Sequence, residues 1–174
     1  FQSGDDDVLV AMRRGYTADQ YRNLVDRIRA TVPRVSISTD LIVGFPGERE
    51  TAFQRSVDML EDIHFDKVHT AAYSPRPGTI AARKMQGDVS AEEMKRRMRL
   101  IESVQERIST EINAALLNTT QEVLVESLDR GKWRGRTRND KLVFFEDARD
   151  LQGKTVRVTI DRTSPWSLQG ATRD

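Results

Sequence analysis

Val35-Ser36-Ile37-Ser38-Thr39-Asp40-Leu41-Ile42-Val43-Gly44-Phe45-Pro46-Gly47-Glu48 decides the fold. The stretch alternates at first and is then continuously apolar over residues 41–43, which predicts a strand buried on both faces, until Gly44-Phe45-Pro46-Gly47-Glu48 breaks it. Upstream, Tyr21, Leu24, Val25, Ile28 and Val32 share one helical face behind a Thr17/Gln20 capping pair, and Pro33 stops that helix. Downstream, Phe53, Val57, Leu60 and Ile63 mark a second amphipathic helix, and residues 66–73 read as another short strand. Helix, strand, helix, strand implies an α/β fold with parallel βαβ units, which bury a sheet beneath helices and place functional loops at the C-terminal ends of its strands. Those loops are residues 44–48 and 74–79.

Ser90 and Glu93 form a second capping pair, and Met94, Met98, Ile101, Val104, Ile108, Ile112 and Leu116 keep one apolar stripe after it. The stripe predicts a helix of roughly 28 residues, about 42 Å long. Short strands then follow at 122–126, 133–138, 142–146 and 155–160, separated by Gly, Asn and Asp. Five or so strands in so short a segment close only as a small OB-like barrel with short, partly open edges. The predicted division is 5–89 for the α/β part, 90–118 for the connecting helix and 119–174 for the β-barrel, with residues 1–4 read as the remnant of an expression tag.

The 174 residues suffice for one compact domain or two small ones, and a net charge of +1 supplies no whole-chain field. Cysteine is absent, which removes disulfides, thiolate metal sites and a cysteine nucleophile from this chain. Its two histidines, His64 and His69, are too few for a histidine zinc site. No apolar run reaches the length of a membrane span, and the expected location is cytoplasmic. Charge is concentrated in one place: Arg130, Lys132, Arg134, Arg136, Arg138 and Lys141 stand against Asp140 alone. Strand alternation puts Lys132, Arg134, Arg136 and Arg138 on one face, a phosphate-binding footprint, with Trp133 as the candidate stacking surface. Asp40, a carboxylate in an otherwise apolar strand, is the best polar candidate of the first unit, and Arg76 is placed to meet a substrate phosphate.

Three segments carry a resemblance: Ala11-Met12-Arg13-Arg14-Gly15-Tyr16-Thr17, Ser38-Thr39-Asp40-Leu41-Ile42-Val43-Gly44-Phe45-Pro46-Gly47-Glu48 and Tyr73-Ser74-Pro75-Arg76-Pro77-Gly78-Thr79. In this order they resemble the radical S-adenosylmethionine methylthiotransferases. Gly135-Arg136-Thr137-Arg138-Asn139 and Ser164-Pro165-Trp166-Ser167-Leu168 are similar to the TRAM domain of that family's tRNA-modifying MiaB branch. The resemblance covers residues 8–170 and implies the late part of a TIM-like radical barrel followed by a TRAM RNA-binding barrel. It implies for the full protein the conversion of N6-isopentenyladenosine beside the tRNA anticodon to its 2-methylthio derivative, with S-adenosylmethionine and two four-iron four-sulfur clusters.

The family's cluster-binding cysteines and its CxxxCxxC loop are missing here, so this chain is expected to be a C-terminal piece, inactive alone. The resemblance implies cofactor contacts at Asp40, Gly44, Phe45, Pro46, Gly47, Glu48 and Ser74. With the charge pattern it also points to RNA contacts at Arg76, Lys132, Trp133, Arg134, Arg136, Arg138 and Lys141, the partner being a tRNA anticodon stem-loop. Alternatives are the branch that modifies an aspartate of a small-subunit ribosomal protein, and an RNA-binding module without chemistry. The full enzyme is expected to be a monomer, whereas the piece, with barrel strands left without neighbours, is expected to pair with a second copy.

Overall fold

The computed structural model describes residues 1–85 and 87–173. They form two units, Phe1–Gln105 and Glu106–Asp174.

In the first unit a short helix, α1 (Asp6–Ala11), precedes α2 (Ala18–Thr31). Asp5 caps α1 by accepting from the Val8 N–H at 3.0 Å, with Asp6 and Asp7 in its first turn where the helix dipole favours them. The Thr17/Gln20 capping box on α2 forms in both directions. Strand β1 (Ser38–Val43), helix α3 (Glu50–Ile63) and strand β2 (Lys67–Ala72) make the expected βαβ unit, β1 and β2 pairing in parallel from Ser38↔Lys67 to Val43↔Ala72. β1 is not buried on both faces. Thr39, Leu41 and Val43 are buried, whereas Ser38 and Asp40 on the other face are exposed, so this two-stranded sheet has one covered side. The core of the unit is built of Leu9, Val25, Leu41, Phe53, Met59, Leu60, Phe65 and Ile101.

Residues 1–4, read as a tag remnant and left out of the fold, pack as part of this sheet. The Gln2 N–H donates to the Asp40 carbonyl at 2.9 Å and the Gln2 carbonyl accepts from Ile42 N–H at 3.0 Å, a parallel bridge along the outer edge of β1. That edge, expected to be bare, is covered at this point, while β2 has no strand beyond it among the described residues. Phe1 stacks on Phe65 with ring centroids 5.5 Å apart, and the Gly4 N–H donates to Ser56 Oγ at 2.8 Å. A β carbon at Gly4 would lie 2.5 Å from the Arg55 carbonyl oxygen, so only glycine fits there. Phe1→Leu is expected to cost the α/β unit about 1 kcal/mol, because an aliphatic side chain cannot stack on the Phe65 ring. Urea denaturation followed by helical circular dichroism measures it, and unchanged stability would show that the ring contact adds nothing to the fold.

After β2 comes a five-residue helix, α4 (Ile80–Lys84), capped by Thr79. The long helix α5 (Ala91–Ala114) has 24 residues rather than 28 and follows Ser90, whose Oγ accepts from the Glu93 N–H at 3.1 Å. The boundary between the units falls inside α5, after Gln105, and not at its start.

The second unit is a closed five-stranded barrel with strand order β3-β4-β5-β7-β6, formed by β3 (Thr120–Asp129), β4 (Lys132–Thr137), β5 (Leu142–Glu146), β6 (Thr155–Thr163) and β7 (Leu168–Thr172). Partly open edges are absent because β3 pairs with both β4 and β6 and β7 lies between β5 and β6. Val123, Val125, Trp133, Val143, Phe145, Leu151, Val158, Ile160 and Leu168 fill its interior.

Candidate functional site

In the first unit a cavity of about 700 Å³ opens at the C-terminal ends of β1 and β2. Ile42, Phe45, Tyr73, Ile80 and Met85 supply apolar wall, Gln2 and Ser74 polar groups, and Arg13, Arg14 and Arg76 three guanidinium groups with no carboxylate among the lining residues. Phe45 is fixed by an edge-on contact with Tyr73, ring centroids 5.1 Å apart. Arg13 and Arg14 follow α1 where the chain turns, Arg13 at φ 60°, and Arg14 is held by donating to Gln2 Oε1 at 3.0 Å. Volume and lining are those of a small-molecule site.

The predicted cofactor residues divide. Phe45 and Ser74 line the cavity; Asp40, Gly44, Pro46, Gly47 and Glu48 do not. Asp40 lies on the exposed face of β1, in register with His69. Gly47 is exposed and donates its N–H to Asp88 Oδ1 at 3.0 Å. Gly44, at φ +80°, is shut in by Met94 of α5, whose Cγ would stand 2.4 Å from an added β carbon. Glu48 is a brace within the loop. Its Oε2 accepts from the Gly44 N–H at 2.6 Å and from Arg97 Nη1 at 3.0 Å. Both side chains are buried, at 5% exposure for Arg97 and 1% for Glu48. Burial pushes the Glu48 carboxyl above its ordinary pKa although the Gly44 N–H and Arg97 pull it down. Arg97 also donates to the Glu48 carbonyl and to Glu93 and lies 5.0 Å over the Phe53 ring. Gln2, Arg13, Arg14 and Tyr73 were not singled out as cavity residues by sequence reasoning. Arg13, Arg14 and Tyr73 sit in the motifs that carry the resemblance, which was the available signal.

On the barrel, Lys132, Arg134 and Arg136 do share the outward face of β4, as alternation requires, whereas Arg138 stands just beyond the strand in the exposed β4–β5 turn. The same alternation turns Trp133 inward. It is 6% exposed and part of the core, and its indole N–H donates to the Asp147 carbonyl at 3.1 Å. Trp133 is therefore a core residue and cannot stack on a base. The cations are also matched by carboxylates from neighbouring strands and turns: Lys132 by Glu146 at 3.5 Å, Arg134 and Arg136 by Glu126 at 3.9 and 3.5 Å, Arg136 by Asp140 at 3.0 Å, and Arg138 by Glu122 at 2.7 Å. Lys141 closes the β4–β5 turn through its backbone, its N–H donating to Thr137 Oγ1 at 3.1 Å.

A small closed barrel with an outward row of basic side chains is the architecture of an oligonucleotide-binding module, and residues 115–171 match the TRAM domain. Beyond the barrel, the chain is 55% identical over 168 residues, 97% of its length, to the tRNA-2-methylthio-N(6)-dimethylallyladenosine synthase of Dehalococcoides mccartyi strain CBDB1, covering 40% of that protein. It is 51% identical over 175 residues, again 97% of the chain, to the synthase of the same name from Chloroflexus aurantiacus, covering 37% of it. The Acetivibrio thermocellus synthase is 43% identical over 174 residues, 98% of the chain and 36% of that protein. The chain spans about two-fifths of the length of the relatives it matches.

Proposed function

We propose that the protein of which this chain is part converts N6-isopentenyladenosine beside the tRNA anticodon to its 2-methylthio derivative, and that the chain contributes RNA binding and part of the cofactor cavity. The observation that carries this reading is the similarity over nearly the whole chain, α/β unit and TRAM barrel together, to synthases of that name. Such a substrate supports a cytoplasmic location for the protein. No helix among the described residues is long and apolar enough to cross a membrane.

The cavity fits S-adenosylmethionine in size and in its mixture of apolar wall and polar mouth. When bound, that cofactor supplies the transferred methyl group and the radical that activates the adenine. In this chain Phe45 and Tyr73 would bound the adenosyl part and Ser74 would offer a hydroxyl, while Arg13, Arg14 and Arg76 supply positive charge for a substrate phosphate. The residues present do not fit the two four-iron four-sulfur clusters. The chain has no cysteine, and no group of three histidine or carboxylate side chains is placed to hold a metal among the described residues.

Binding of a tRNA anticodon stem-loop across a salt series tests the RNA reading. Replacing Arg134, Arg136 and Arg138 with alanine is expected to flatten the slope of log K against log salt by about one unit for each phosphate no longer neutralised. An unchanged slope removes β4 from the RNA interface.

A further inference from the structure

The aromatic side chain the barrel exposes most is not Trp133 but Trp166. Trp133 and Phe145 are buried and Phe144 is half-buried on the outer face of β5, whereas Trp166, in the turn between β6 and β7, is 55% exposed. This is a built turn and not a loose one. The Ser164 N–H donates to the Ser167 carbonyl at 2.9 Å, the Ser167 N–H donates back to Ser164 Oγ at 3.0 Å, and Ser164 Oγ also donates to the Ser167 carbonyl at 2.9 Å. From the last turn of α5, the Asn113 amide donates to the Ser164 and Pro165 carbonyls at 2.8 and 3.1 Å. A large aromatic held out on a turn fixed at both ends loses little conformational entropy on receiving a flat partner.

The side chains beside it indicate which partner. Arg162 pairs in register with Gln169, one step before Thr163↔Leu168 closes the ladder at the turn. Since Leu168 and Ile160 point into the core, Arg162 and Gln169 share the outer face. Arg162 is exposed, and the residue displaced from the ladder by the bulge between Ile160 and Arg162 is Asp161. The turn and the strand ends that carry the indole thus hold hydroxyls, an amide, a guanidinium and the Asp161 carboxylate. Such surroundings suit an unpaired base and its phosphate better than an apolar protein anchor.

We propose that Trp166 is a stacking platform for one unpaired base of the bound RNA, with Arg162 contacting the adjoining phosphate. The proposal rests on the reading of the barrel as an RNA-binding module. It gives that module a base-contacting residue on a different strand pair from the β4 row, whose cations are matched by carboxylates.

The test measures binding of the 174-residue chain to an anticodon stem-loop RNA and to a blunt RNA duplex of equal length. Trp166→Ala is expected to weaken stem-loop binding about tenfold or more with an unchanged salt slope, Trp166→Phe to restore most of it, and neither to alter duplex binding. Arg162→Ala is expected to reduce the salt slope by about one unit. If the parent binds the stem-loop and Trp166→Ala binds it equally well, the platform is wrong, the indole belongs to protein packing, and the RNA reading of the barrel stands. Equal loss on the duplex overturns stacking on an unpaired base, and an unchanged slope in Arg162→Ala overturns the phosphate contact. If the parent binds neither RNA, the RNA reading fails and the platform with it.

Discussion

Replacing Arg97 with alanine is expected to destabilise the α/β unit by about 3–5 kcal/mol at neutral pH, because it strands a buried carboxylate. Glu48 is enclosed at 1% exposure, and Arg97 is its cationic partner at 3.0 Å. Without Arg97, only the Gly44 N–H remains on Glu48 Oε2. The loss follows protonation. The Glu48 carboxyl has its pKa raised in the fold, chiefly by burial, so between its unfolded and folded pKa the native state binds more protons than the unfolded chain. The group's contribution is then fully present below the unfolded value near 4.5 and is lost as pH rises through the folded value. Removing Arg97 takes away a charge that lowers this pKa and moves the folded value further up. The deficit of Arg97→Ala relative to the parent should therefore narrow between pH 7 and pH 5. The double variant Glu48→Gln/Arg97→Ala should recover much of it at pH 7, since an amide oxygen still accepts from Gly44 and no buried charge remains. Urea denaturation followed by helical circular dichroism at both pH values decides this. A deficit independent of pH, or a double variant no better than Arg97→Ala, would show that Arg97 acts through its packing over Phe53 and not through the charge of Glu48.

How much of this brace was readable in the sequence follows from what determines each part. Periodicity over short windows gave the βαβ order, the Thr17/Gln20 box and the start of α5, because those depend on neighbours a few residues apart. Glu48 read as part of the loop that ends the strand and as a cofactor contact, and its partner 49 positions away could not be seen. The same limit explains the basic row. Residues 130–141 hold one acid, yet Glu122, Glu126 and Glu146 come from β3 and β5 and meet the row only once the barrel closes. Other misses were avoidable. Alternation that sends Arg134 and Arg136 outward must send Trp133 inward. The Asp5 cap with Asp6 and Asp7 behind it announced α1. Phe1-Gln2-Ser3-Gly4 was left out of the fold as a tag remnant, although Phe1 is buried and Gly4 stands where no β carbon fits, so the four residues belong to the packing whatever their origin.

Gly170→Ala is expected to cost the barrel about 3 kcal/mol or more, for a reason local sequence does not contain. Gly170 lies in β7 between Phe145 of β5 and Ile160 of β6, at an inward position of the closed sheet. An added β carbon would stand 2.2 Å from the Thr159 carbonyl oxygen, 2.9 Å from its carbon and 2.8 Å from Val158 Cγ1. Two of these atoms are main chain, so no rotamer change relieves the clash. β6 and β7 must separate, losing ladder hydrogen bonds worth about 1 kcal/mol each on top of about 1–3 kcal/mol of overpacking. Gly135 in β4 faces the same constraint, 2.4 Å from the Leu124 carbonyl oxygen, which shows that closure brings strands too near at two places for any side chain. Gly153 supplies the control. It sits at φ +74° with nothing within 4 Å of an added β carbon, so Gly153→Ala carries only the left-handed backbone cost of about 1–2 kcal/mol. In a Trp166→Phe background the buried Trp133 reports barrel unfolding by its fluorescence. Midpoints in urea should fall in the order parent, Gly153→Ala, Gly170→Ala. A Gly170→Ala barrel as stable as the Gly153→Ala one would mean that β6 and β7 close less tightly than their register requires.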